Sequence, residues 1–284
     1  MDFRTVVEIA KPDFQIEPFE EMLFVGSCFA DSIGRRFVEN KFHATVNPYG
    51  VMYNPASILH TVERWLANDR TPGQPAPHVV FLTLGTNHVY RLRETGEIVD
   101  NCQKRPAALF SEEELTIDAC ADYLRRTIDL LRTRRPDVHV VITVSPIRYR
   151  KYGYHENQLS KATLLLAADQ LLTHHPSPTT HHPSPTYFPA YEIMMDELRD
   201  YRFYAPDMLH PSEQAVDYIW QQLVENYLSS AAREFLREWE PLRQALGHRP
   251  LHPDSIEYRT FLERTRQQLI HLQQKYPKLD VEAI

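Results

Sequence analysis

Two consecutive residues near the start of the chain, Ser27 and Cys28, and a carboxylate and an imidazole far downstream, Asp207 and His210, are of the types that transfer acyl groups. A hydroxyl or thiol attacks the acyl carbon, an imidazole takes its proton, and a carboxylate holds the imidazole in one tautomer and orientation. Asp207 and His210 are three apart, so one turn of helix-like backbone puts both on one face. Taken singly, each half is ordinary. Gly26-Ser27-Cys28 reads as a strand-to-helix turn with a serine cap and a buried cysteine, and Asp-x-x-His commonly caps a helix. Their occurrence together points to chemistry.

Positioning them requires particular elements. Met22 to Val25 is a short apolar run, a buried strand, and Gly26 permits a sharp turn after it. Phe29, Ile33 and Phe37 recur every fourth residue, the apolar face of a helix reaching Asn40. Ser27 and Cys28 thus fall at a helix start, whose unpaired N–H groups stabilise a thiolate or an oxyanion. On that ground a reactive Cys28 is expected to ionise below the ~8.5 of a free cysteine. His78 to Leu84 is apolar at nearly every position, as in a central parallel strand, and delivers Gly85-Thr86-Asn87-His88 to the same sheet edge. The Asn87 amide and the Gly50 backbone N–H, after a Phe42 to Val46 strand, are candidate oxyanion donors. Val138 to Val144 is a second central strand, followed by Arg148, Tyr149, Arg150, Lys151, His155, Glu156 and Asn157, a basic, aromatic and amide-bearing loop placed to hold substrate.

The remaining segments read as a strand over Thr5 to Ile9, a hairpin of Val89 to Arg93 with Glu97 to Val99, and an edge strand at Tyr187 to Tyr191. Helices are expected over Pro55 to Ala67, from a Ser111/Glu114 capping box to Thr133, over Leu159 to Leu172, Ile193 to Leu198, and from Pro211 to Leu228. From Ser229 the pattern is helical alone, Ala231 to Leu246 and Ser255 to Tyr276. The chain therefore divides into an α/β domain over 1–228 and a helical extension over 229–284, packed on the core or serving an interface between copies.

A chain of 284 residues with a formal net charge of -7 gives no electrostatic basis for gripping nucleic acid. The three cysteines, Cys28, Cys102 and Cys120, are an odd number at unrelated spacings, which fits free thiols. No signal peptide or membrane span is visible, so a cytoplasmic location is expected. Thr173-His-His-Pro-Ser-Pro-Thr179 is repeated at once as residues 180–186, and its repeated prolines read as a solvated connector rather than a metal site. Neither metal nor cofactor is expected.

The order of nucleophile, Gly-x-Asn loop and Asp-x-x-His resembles that of the SGNH or GDSL hydrolases. The sequence also resembles the GSCFA family, whose pentapeptide stands here as Gly26 to Ala30. The resemblance continues through Asn47-Pro48-Tyr49-Gly50, Leu84-Gly85-Thr86, Ser145-Pro146-Ile147-Arg148, Glu156-Asn157, Asp207 to Pro211 and His248-Arg249-Pro250. It implies a three-layer α/β/α sandwich with a mostly parallel central sheet. Aligned without gaps on Gly-Asp-Ser, Cys28 takes the nucleophile's place and Ser27 that of the aspartate, whereas the grouping with serine hydrolases favours Ser27. His88 stands where those hydrolases often carry an aspartate and is a candidate substrate contact. The function implied is an esterase acting on a small acylated molecule or carbohydrate. An acyltransferase using a thioester donor, and an inactive binding or assembly protein on the same scaffold, are the alternatives.

Overall fold

The computed structural model describes residues 4–68, 76–173, 182–252 and 254–281. The chain forms β1 (Glu21–Gly26), α1 (Cys28–Glu39), β2 (His43–Val46), α2 (Pro55–Asn68) and β3 (Val79–Leu84). Next come β4 (His88–Leu92), β5 (Ile98–Val99), β6 (Phe110–Glu114), α3 (Ile117–Arg134), β7 (His139–Val144) and α4 (Tyr154–Thr173). After β8 (Thr186–Tyr187) and the short α5 (Ala190–Glu192), the chain ends in α6 (Glu213–Tyr227), α7 (Ser230–Gly247) and α8 (Ile256–Lys275).

The main sheet has the order β2-β1-β3-β7-β8, and every pairing in it is parallel. β1, β3 and β7 are apolar on both faces because helices cover both. Phe24, Phe81 and Val141 look towards α1 and α6, while Leu23, Val25, Val80, Leu82, Val140 and Ile142 look towards α2, α3 and α4. The result is an α/β fold of three layers. Phe24 and Phe81 stack across neighbouring strands at 4.8 Å, each ring contributing about 2–3 kcal/mol by burial. β4, β5 and β6 form a separate antiparallel sheet beside the carboxyl end of β3. α7 and α8 bury Phe235, Trp239, Leu242 and Leu269 in the same apolar cluster as Phe19, Phe37 and Phe42. No helix among the described residues is long and apolar enough to cross a membrane.

Several expected elements differ. Thr5 to Ile9 has no strand pairing. Ser111 and Glu114 do not cap a helix; they lie in β6, where pairing with β4 satisfies their backbone groups. α3 starts later, at Thr116, whose hydroxyl accepts the Ala119 N–H at 3.2 Å. Ser212, not Pro211, precedes α6, since Pro211 bridges to Tyr204. The expected edge strand is confined to Thr186–Tyr187, and residues 193–197 form a π turn. α4 begins five residues before Leu159, which turns the expected loop residues His155, Glu156 and Asn157 into its first turn. Most of the duplicated His-His-Pro-Ser-Pro-Thr segment lies outside the described residues.

Candidate active site

The turn after β1 is fixed by close packing. Gly26 has φ 145°, and a Cβ there would lie 2.1 Å from the Thr83 carbonyl oxygen of β3, so no larger residue fits without moving a strand. Asn47 pins the turn from the other side. Its Oδ1 accepts the Gly26 N–H at 2.9 Å, and its Nδ2 donates to Asp31 at 2.6 Å in the first turn of α1.

This geometry gives the two adjacent candidates different jobs. Ser27 is buried as the N-cap of α1, its hydroxyl oxygen accepting the Phe29 N–H at 3.3 Å. Cys28, half-buried, opens the helix and lays its Sγ 3.5 Å from His210 Nε2. His210 Nδ1 lies 2.6 Å from Asp207 Oδ2. Asp207 Oδ1 accepts the backbone N–H of Leu209 at 2.9 Å and of His210 at 3.0 Å. Those N–H bonds, with the imidazole, hold the carboxyl down at about 2. The Asp207 to His210 segment is a turn, not a helix, with Met208 at φ 60°. Arg148 straps it, its N–H donating to Leu209 O at 3.0 Å and its Nη1 to Met208 O at 3.1 Å. The Arg148 guanidinium also lies 4.4 Å from the Tyr154 ring centre and 5.1 Å from that of Tyr204.

Electrostatics at the sulfur run against the expectation of a low thiol pKa. Burial pushes Cys28 up to about 11 and the Asp31 carboxylate adds to the rise, outweighing the N–H groups of Cys28 and Phe29 and the cation of Lys161. At neutral pH the sulfur is therefore a thiol, which needs a base at the moment of attack.

The other candidates have partners of their own. The Asn87 amide is turned away into the fold, donating to Leu115 O at 2.9 Å, and the Gly50 N–H closes a turn on Asn47 O at 2.9 Å. The loop after β3 is held elsewhere too: Gly85 and Thr86 donate to Tyr53 O, and Asn87 to Ser160 Oγ. His88 is buried against Tyr152, ring centres 4.0 Å apart, and burial lowers its pKa. Asn157 Oδ1 accepts the Tyr149 N–H at 2.7 Å. His155 is exposed on α4, and Glu156 beside it is partly buried. The structure thus brings Cys28, His210, Asp207 and Arg148 together and gives Asn87, Gly50 and Asn157 structural bonds.

Three contributors escaped the sequence reading: Asn47 as the pin of the turn, Tyr53 beside Cys28, and Lys161. The last had a visible signal. The apolar stripe of α4, Leu164, Ala168 and Leu171, continues one turn back onto Lys161, Ser160 and Asn157, and polar residues on a core-facing stripe mark a site. A groove of about 870 Å³ between α1, α6 and α7 starts at Ser32, one turn beyond Cys28, and a pocket of about 360 Å³ adjoins Arg148.

The chain belongs to the GSCFA family, which it matches over residues 21–76 and 74–223; residues 239–284 match the GSCFA domain protein, C-terminal domain. No curated protein matches it. Among solved structures it is similar to a carbohydrate esterase family 3 protein from Talaromyces cellulolyticus, at 10% identity and TM-score 0.42, covering 77% of this chain and 99% of that one. An acetyl esterase mutant, S10A, with acetate ion matches at 10% identity and TM-score 0.44, over 77% and 99%. A member of the lipolytic protein G-D-S-L family from Veillonella parvula DSM 2008 matches at 14% identity and TM-score 0.46, over 72% and 97%.

Proposed function

We propose that this GSCFA protein is an acyl-transfer enzyme of the SGNH-like kind that works through a cysteine, as an esterase on small acylated substrates. The observation that carries the reading is the Cys28, His210 and Asp207 line, with Ser27 committed to capping α1. His210 Nε2 takes the thiol proton as the sulfur bonds to the acyl carbon, and passes it to the departing alkoxide. Asp207 stays ionised and steadies the imidazolium. The N–H of Cys28, at the open start of α1, faces the developing oxyanion. Water then attacks the S-acyl carbon, giving its proton to His210, and the carboxylic acid leaves as the thiol re-forms. The sulfur also suits a second acceptor, because an S-acyl group is itself a thioester that an amine or thiol can take.

The test uses p-nitrophenyl acetate and an acetyl thioester, with intact-mass and peptide mass spectrometry. An acetyl adduct on Cys28, absent in Cys28→Ala and at least ~10²-fold slower to form in His210→Ala, is expected. An adduct on Ser27, or turnover unchanged in Cys28→Ala, overturns the reading.

A further inference from the structure

Lys161 is 1% exposed, yet no carboxylate among the described residues pairs with it. Its Nζ donates to Gly85 O at 2.7 Å and Ser145 O at 2.8 Å, the first carbonyls beyond β3 and β7. Ser160, its neighbour on α4, accepts the Asn87 N–H at 3.1 Å and meets Thr86 Oγ1 at 3.0 Å. One turn of α4 therefore stitches the ends of the two central strands together beside β1, whose last residue Gly26 pairs with Thr83 and is followed by Ser27, its N–H on Thr83 O at 3.0 Å, and by Cys28. An isolated buried amine is costly, and an apolar residue of similar length would fill the same space without that cost. Two carbonyl dipoles recover part of the penalty but leave the charge itself uncompensated.

We propose that Lys161 is the counter-charge of the Cys28 site: an ammonium held under the ends of β3 and β7 by two main-chain carbonyls, stabilising the negative charge that arises on the sulfur. The proposal rests on Cys28 as the nucleophile. Lys161 acts through Cys28 as a positioning residue. Burial brings its pKa down to about 7, and the Cys28 sulfur is the group whose charge raises it. An anion at the sulfur therefore tightens the hold of Lys161 on its proton. The other group facing Lys161 is the Tyr191 ring, 5.8 Å from Nζ, whose hydroxyl burial keeps protonated. Facing Cys28 are His210, Tyr53 and Asp31, and the Asp31 carboxylate, which opposes a thiolate, is already bonded to Asn47.

The test puts a fixed charge at Cys28 in Cys102→Ser protein, where the other partly exposed thiol is gone. Iodoacetate leaves a carboxymethyl anion and iodoacetamide a neutral carbamidomethyl group of nearly the same shape. The buried lysine is then titrated by NMR of ¹³Cε-lysine. Proton affinity at least about tenfold higher in the carboxymethyl protein is expected, and equal affinity in the two overturns the proposal. In a His210→Ala background, where no imidazole contributes, Lys161→Met is expected to slow iodoacetamide capture of Cys28 at pH 8 about tenfold. Unchanged capture in folded protein counts against the proposal. If Lys161→Met does not fold, the titration decides alone. Neither measurement uses an acyl substrate, so both remain readable if no S-acyl enzyme forms.

Discussion

At the scale of single residues, the division of labour between Ser27 and Cys28 makes a sharp prediction. Ser27→Ala removes the cap of α1 and is expected to cost about 1 kcal/mol in urea unfolding while leaving acyl transfer within a few-fold of wild type. Loss of turnover with stability intact would return Ser27 to the chemistry. Asp207 predicts a pH dependence whose sign is fixed. Its folded-state pKa lies below the ordinary ~3.9, so what it contributes is fully present above that value and is lost as pH falls through about 2. Carboxyl ¹³C NMR should therefore find Asp207 ionised throughout the range above pH ~4, where an exposed aspartate has begun to titrate. The acid limb of the activity profile then belongs to another group.

Elements set how well those residues meet. The Asp207 to His210 turn has a left-handed Met208 at its middle, and Arg148 holds the carbonyl there. Arg148→Met keeps the backbone bond to Leu209 and loses the guanidinium strap, so kcat should fall about tenfold or more from a looser imidazole, with little change in thermal midpoint. A change in KM alone would make Arg148 a substrate contact instead. This scale is also where sequence legibility divides. The run from Met22 to Phe37 was readable because its signals are local: an apolar strand, a glycine and a helical stripe. Cys28 and His210, 182 positions apart, could be paired by type but not by distance. Ser111 to Glu114 misled because its partner strand lies 22 residues earlier, and cross-strand pairing overrode a local capping pattern. Asn87 misled because the Leu115 carbonyl that claims its amide lies 28 residues later. Lys161 showed its position, on a core-facing stripe, but not the carbonyls that receive it.

At the scale of the whole molecule, the helical extension contributes to the core rather than hanging from it. Trp239 is 2% exposed, stacks near Phe235 and donates its indole N–H to the Glu39 carbonyl at 3.0 Å. Trp239→Ala should destabilise the protein by about 3–5 kcal/mol, read as a lower urea midpoint for the whole cooperative transition. A separate early transition, leaving the rest of the chain folded, would instead make α7 and α8 an independent unit.

That same indole grips one end of a rod whose other end carries the Cys28 sulfur. Twelve residues at 1.5 Å each make α1 about 18 Å long, with Cys28 at its first position and Glu39 at its last. The extension thus fastens the far end of α1 as Asn47 fastens the near end at Asp31, so the Cys28 sulfur is carried on a rod held at both ends.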